Sequence, residues 1–93
     1  MPVKFNPKEE EELLLLEKEL NENHIVLYND DVNTFDWVIE SLIKVCNHDL
    51  IQAEQCSLIV QHNGKCSVKD GAFDELKPLK EALLERGLSA VIE

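Results

Sequence analysis

The chain is poor in positive charge. Nine lysines and arginines stand against 19 aspartates and glutamates, giving a formal net charge of −10. Phosphate-rich surfaces would be repelled, which argues against nucleic acid or an anionic membrane as partner. Long apolar runs are missing too. The longest, Leu13 to Leu16, is far too short to span a bilayer, and Met1-Pro2-Val3-Lys4 opens without the apolar segment of a secretory signal. Cysteine is scarce and odd in number: Cys46, Cys56 and Cys66. Reduced thiols in the cytoplasm are the expectation. With His48 and His62 they form neither a CxxC knuckle nor another standard pair of close ligands, so no metal is expected. Glycine-rich phosphate loops, GKS or GKT and HExxH are all lacking, and no cysteine sits in an electropositive setting. The adjacent Asp30 and Asp31 do not by themselves make a general acid and base pair. The chain reads as a non-enzyme without a cofactor.

What is present is the composition of one small globular domain: 93 residues, 44% hydrophobic. Residues 1–23 read as a mobile acidic extension, in which Leu13, Leu16 and Leu20 share one helical face. Residues 24–93 read as the core. His24 to Tyr28 is rich in β-formers and reads as a buried strand. Thr34 is placed to cap a helix over 35–47, whose apolar residues Phe35, Val38, Ile39, Leu42, Val45 and Cys46 keep helical spacing. Asp49 is placed to cap a second helix over 50–61, apolar over a wide arc (Leu50, Ile51, Ala53, Cys56, Leu58, Ile59, Val60), with Gly64 suited to close it. Lys65 to Lys69 alternates as a strand with Cys66 and Val68 inward, and Asp70-Gly71 reads as a turn. A third helix over 75–86, with Pro78 tolerable only near its first turn, ends at Gly87, and Leu88 to Ile92 makes the last strand. The order β-α-α-β-α-β implies an α+β fold in two layers, a three-stranded antiparallel sheet against three helices.

The segment Asn29-Asp30-Asp31-Val32-Asn33-Thr34-Phe35 is the one with chemistry in it. Two carboxylates and an amide lie between a strand end and a helix start, where rigid elements can hold them on a ligand. Their oxygens are acceptors, and a cationic amine would satisfy several at once through charge-assisted hydrogen bonds. Capture of a chain's N-terminal amine is an established recognition mode. The same residues are also ordinary turn and capping chemistry.

From about Ile25 to Glu93 the sequence resembles the ClpS family, adaptors of the Clp ATP-dependent protease. The resemblance rests on IVLYNDDVNTFDWVIESLIKV, the QAEQ at 52–55, the NGK at 63–65 and the closing GLSAVIE, in that order. It implies the same β-α-α-β-α-β fold, and an adaptor that binds the free α-amino group and first side chain of substrates with destabilising N-terminal residues. The implied partners are those substrates and a Clp-family AAA+ unfoldase of the ClpA or ClpC type, engaged through the N-terminal extension. It implies that Asn29 and Asp31 contact the substrate amine and that Asp30 helps hold the substrate backbone. Asn33 stands at a pocket threonine, Phe35 at a methionine of the pocket mouth, and Val38 and Val60 at apolar walls. Gln61 stands where the family has a histidine that also touches the amine, with His62 displaced by one residue. Ser57 replaces a second pocket methionine, and Ser89 a leucine near the last strand. The peptide site is thus expected at Asn29, Asp30, Asp31, Asn33, Phe35, Val38, Ser57, Val60, Gln61 and Ser89, with altered preference for the first side chain. The competing reading is an interaction module of the same fold with a degenerate amine pocket, an architecture that the ribosomal stalk protein's C-terminal domain also resembles.

Overall fold

The computed structural model describes residues 7–13 and 22–93. Residues 7–13 are helical and exposed, while Leu16 and Leu20 of the expected apolar face lie outside the described residues.

Strand β1 (Asn23–Tyr28) is the centre of a three-stranded sheet. It pairs antiparallel with β2 (Lys65–Gly71) on one side and with β3 (Ser89–Ile92) on the other. Helices α1 (Phe35–Cys46), α2 (Leu50–Asn63) and α3 (Phe73–Glu85) complete the β-α-α-β-α-β order. The core joins Ile25 and Leu27 of β1 to Leu42 and Cys46 of α1, Ala53 and Val60 of α2, and Leu76 and Leu83 of α3. Alternation along β1 and helical spacing on the helices put these side chains on one inner layer.

Both expected caps form. The Trp37 amide donates to Thr34 Oγ1 at 3.1 Å, and the Gln52 amide donates to Asp49 Oδ1 at 2.7 Å. Each satisfies a backbone donor that the first helical turn leaves open.

Two expectations need correction. First, Asp70-Gly71 is not a turn: both residues extend β2, opposite His24 and Asn23. The His24 ring donates from Nδ1 to Asp70 Oδ1 at 2.6 Å, an attraction that the bare Asp-Gly dipeptide does not reveal. Along this ladder Ile25 faces Lys69 and Val26 faces Ser67, so Val68 is the extra residue of a β-bulge. Second, α3 begins at Phe73, which puts Pro78 sixth in the helix rather than in its first turn. Proline has no amide to give, so the Asp74 carbonyl goes without its usual partner four residues on. The apolar arc of α2 divides between core and solvent. Ala53, Cys56, Ser57 and Val60 face the core, whereas Leu50, Ile51, Leu58 and Ile59 are exposed. Small residues make the inner stripe and let the helix lie close to its neighbours.

Candidate functional site

The segment after β1 is fixed from three directions. The Asn29 amide donates to the Gly64 carbonyl at 2.8 Å, tying the strand end to the close of α2. Gly64 is left-handed there, with φ 89°, a conformation that a side chain would strain. The Asn33 side-chain amide donates from Nδ2 to the Gly87 carbonyl at 2.8 Å, tying the loop to the junction between α3 and β3. Thr34 then starts α1.

Asp30 holds the loop from within. Its Oδ1 accepts the amides of Val32 at 3.0 Å and Asn33 at 2.9 Å, and its Oδ2 accepts Asn33 Nδ2 at 2.8 Å. Burial acts to raise the Asp30 carboxyl. The hydrogen bonds from Asn33 and Val32, with that of Ser89, outweigh it and hold the group below the ordinary carboxylate value. Asp30 therefore builds the loop from within, and it also lines the cavity described next.

Around this scaffold lies a cavity of about 230 Å³ lined by Asn29, Asp30, Asp31, Asn33, Phe35, Val38, Ser57, Val60 and Gln61. That is below the roughly 300–1,000 Å³ of sites for drug-sized ligands, and suits one side chain with a chain end. Nine of the ten expected residues thus come together. Ser89 does not line the cavity: it pairs with Tyr28 across the ladder, and its hydroxyl lies 3.5 Å from Asp30 Oδ2. His62 is exposed and also absent from the lining, as expected from the rotation of about 100° that one residue makes on a helix.

The polar lining divides into two kinds. Asp30 and Asn33 are engaged within the protein, whereas the side chains of Asn29, Asp31 and Gln61 have no partner among the described residues. Those three are exposed. They present a carboxylate and two amide oxygens beside apolar walls from Phe35, Val38 and Val60, a combination that can take a cation joined to an apolar body. Sequence reading missed the two glycine junctions that pin the loop, Gly64–Asn29 and Gly87–Asn33. Their glycines were legible as helix ends, but not as the anchors of this loop.

Comparison with known proteins decides the family. Residues 18–90 match the model of the family described as "ATP-dependent Clp protease adaptor protein ClpS". The chain belongs to the ClpS family. A ClpS adapter protein of Campylobacter jejuni is 45% identical over 40 residues, 43% of this chain and 42% of that protein. The matched stretch thus spans less than half of the relative's length. The Drosophila melanogaster E3 ubiquitin-protein ligase UBR1 is 34% identical over 58 residues, 62% of this chain and 3% of that protein. Among solved structures, Agrobacterium tumefaciens ClpS2 bound to L-phenylalaninamide superposes with a TM-score of 0.72 at 20% identity, covering 80% of this chain and 96% of the other. At that identity the superposition speaks to the ClpS fold alone.

The thiols of this ClpS-family domain are free, and Cys46 and Cys56 are buried. Burial pushes Cys46 up to about 11 and Cys56 up to about 12, the latter helped by Cys66 and Cys46 nearby. They serve as small core side chains rather than nucleophiles. No group of three or more His, Cys, Asp or Glu residues among the described residues could hold a metal ion. None of the helices described is long and apolar enough to cross a membrane.

Proposed function

We propose that this domain captures the free α-amino group and first side chain of a polypeptide and delivers that polypeptide to a Clp-family AAA+ unfoldase of the ClpA or ClpC type. The observation that carries the reading is the set of unpartnered side chains at Asn29, Asp31 and Gln61 around one cavity with an apolar wall. The Asp31 carboxylate would accept from the ammonium group, with the Asn29 and Gln61 amide oxygens completing its hydrogen bonds. Gln61 is neutral at every pH, where the family's histidine titrates. The first side chain would lie against Phe35, Val38 and Val60. The ClpS2 structure, bound to an amino-acid amide with a phenyl side chain, supports a pocket of this kind on the same fold. The net charge of −10 favours a cationic partner. In this reading residues 24–93 are the binding core, and residues 1–23 are the extension that meets the unfoldase. The domain selects without catalysing, and the cytoplasm, a reducing compartment, suits its free thiols.

Fluorescence titrations with peptides bearing Phe, Leu, Trp or Tyr at position one, each with a free and an acetylated amine, test the reading. Free peptides are expected to bind at least tenfold more tightly than acetylated ones. Equal binding of the two forms would reject amine capture.

A further inference from the structure

The cysteines are spaced evenly along the chain, at 46, 56 and 66, yet the fold gathers them. Cys46 of α1 and Cys56 of α2 belong to the buried core, and Cys66 of β2 packs against it. All three thiols are free. Cys56 and Cys66 are the close pair: their side chains lie within hydrogen-bonding reach of each other, whereas Cys46 bears on Cys56 only through its charge. Cys66 Sγ donates to the Ser67 carbonyl at 3.4 Å, which leaves its sulfur to accept from the Cys56 thiol.

The members of the pair differ in access. Cys66 is part-exposed, whereas Cys56 is buried, at 9% exposure. Burial and its neighbours push Cys56 up to about 12, so near neutral pH it is a thiol and does not meet an oxidant on its own. One sulfur within reach of solvent, with a second thiol held behind it, is the arrangement of an attacked cysteine and its resolving partner. Disulfides in a reducing compartment are chiefly of this transient, oxidant-driven kind.

We propose that Cys66 and Cys56 form an oxidative modification site, closed to a disulfide by a hydroperoxide and independent of the amine-capture reading. The Cys66 sulfur attacks one oxygen of hydrogen peroxide, the O–O bond breaks, and the displaced oxygen leaves as water with the thiol proton. Cys66 is then a sulfenic acid. Cys56, a small core side chain until this point, condenses with it. The S–S bond forms, the S–O bond breaks, and the departing oxygen takes the Cys56 proton to leave as a second water. The two sulfurs are oxidised and the peroxide is reduced, so no further reagent is needed. The loop closed by this bond, 56–66, contains Val60 and Gln61 of the cavity wall and Gly64, whose carbonyl holds the Asn29 amide.

The test treats the full reduced chain with hydrogen peroxide, alkylates the remaining thiols in denaturant, and maps the protein by mass spectrometry without reduction. The expected product is a monomer lighter by the hydrogens of both thiols, with Cys56 linked to Cys66, Cys46 alkylated, and the whole change reversed by dithiothreitol. In Cys56→Ser the sulfenic acid on Cys66 has lost its partner, so trapping by dimedone should rise about fivefold or more over the wild type. In Cys66→Ser peroxide should consume thiols about tenfold more slowly. Circular dichroism melts verify that both variants fold, and the wild-type map decides the pairing even if one does not. A link through Cys46, a link between two chains, Cys66 carried on to sulfinic acid without a link, or thiols untouched by peroxide would each overturn the proposal.

Discussion

The adjacent carboxylates of Asp30 and Asp31 should separate cleanly under mutation, because the structure gives them different work. Asp30→Ala removes acceptors from three donors, at 3.0, 2.9 and 2.8 Å. Hydrogen bonds to a charged acceptor contribute about 1.5–3 kcal/mol each when well shielded. The Val32 amide is exposed and would turn to water, and Asn33 Nδ2 keeps the Gly87 carbonyl. Only part of the sum is lost, about 2–3 kcal/mol on that scale. For a domain of this size each kcal/mol moves the midpoint by about 4–8 °C, so Asp30→Ala should melt roughly 8–24 °C below the wild type. Asp31 is exposed and has no partner among the described residues. Asp31→Ala should therefore stay within about 0.5 kcal/mol of the wild type, as exposed substitutions usually do. It should nonetheless lose about 10- to 150-fold in affinity for a peptide with a free N-terminal aromatic residue, the worth of one charge-assisted hydrogen bond. Thermal melts followed by circular dichroism and peptide titrations on both variants make the comparison. Equal destabilisation by the two substitutions, or an Asp30→Ala protein melting with the wild type, would refute the assignment.

Further outcomes follow from other contacts. Thr34→Ala and Asp49→Ala each remove an N-cap and should cost about 1 kcal/mol in urea unfolding. His24 is held above its ordinary value of 6.5, chiefly by its hydrogen bond to Asp70. Its stabilising contribution is therefore complete below that ordinary value, and fades as pH rises through the raised one. The melting difference between the wild type and His24→Gln should accordingly be largest near pH about 5.5 and disappear in mild alkali. Thiol reagents at mildly alkaline pH should label Cys66, which is part-exposed, well before Cys46 or Cys56, and denaturant should make all three equivalent.

The elements with strong local signals could be read before the structure was known. Helical spacing from Phe35 to Cys46, the caps at Thr34 and Asp49, and the close of α2 at Gly64 stand where local chemistry puts them. Failures came where distant partners decide. Asp70 and Gly71 join β2 because His24 and Asn23 lie across the ladder, and nothing in the dipeptide signals it. Leu50, Ile51, Leu58 and Ile59 look like core by composition, yet the inner stripe of α2 goes to smaller residues. At the site, the resemblance supplied which residues meet. It could not show that Asp30 and Asn33 bond each other while Asp31 stands free of protein partners, since one-letter order does not reveal which acceptor a loop uses for itself. Nor could it show that Ser57 would be buried without a bond.

The placing of β1 between its two neighbours has a consequence for how the protein comes together. Helices α1 and α2 depend on contacts near in sequence. The ladder from β1 to β3 joins residues as remote as Tyr28 and Ser89, and the Tyr28 hydroxyl donates to Glu93 Oε1 at 2.6 Å across 65 positions. Such a contact pays its closure entropy before any gain and slows the route to the native state. For a domain of this size cooperative folding is the expectation, so the closing strand and the helices it completes should appear together, at a rate held down by that remote pairing.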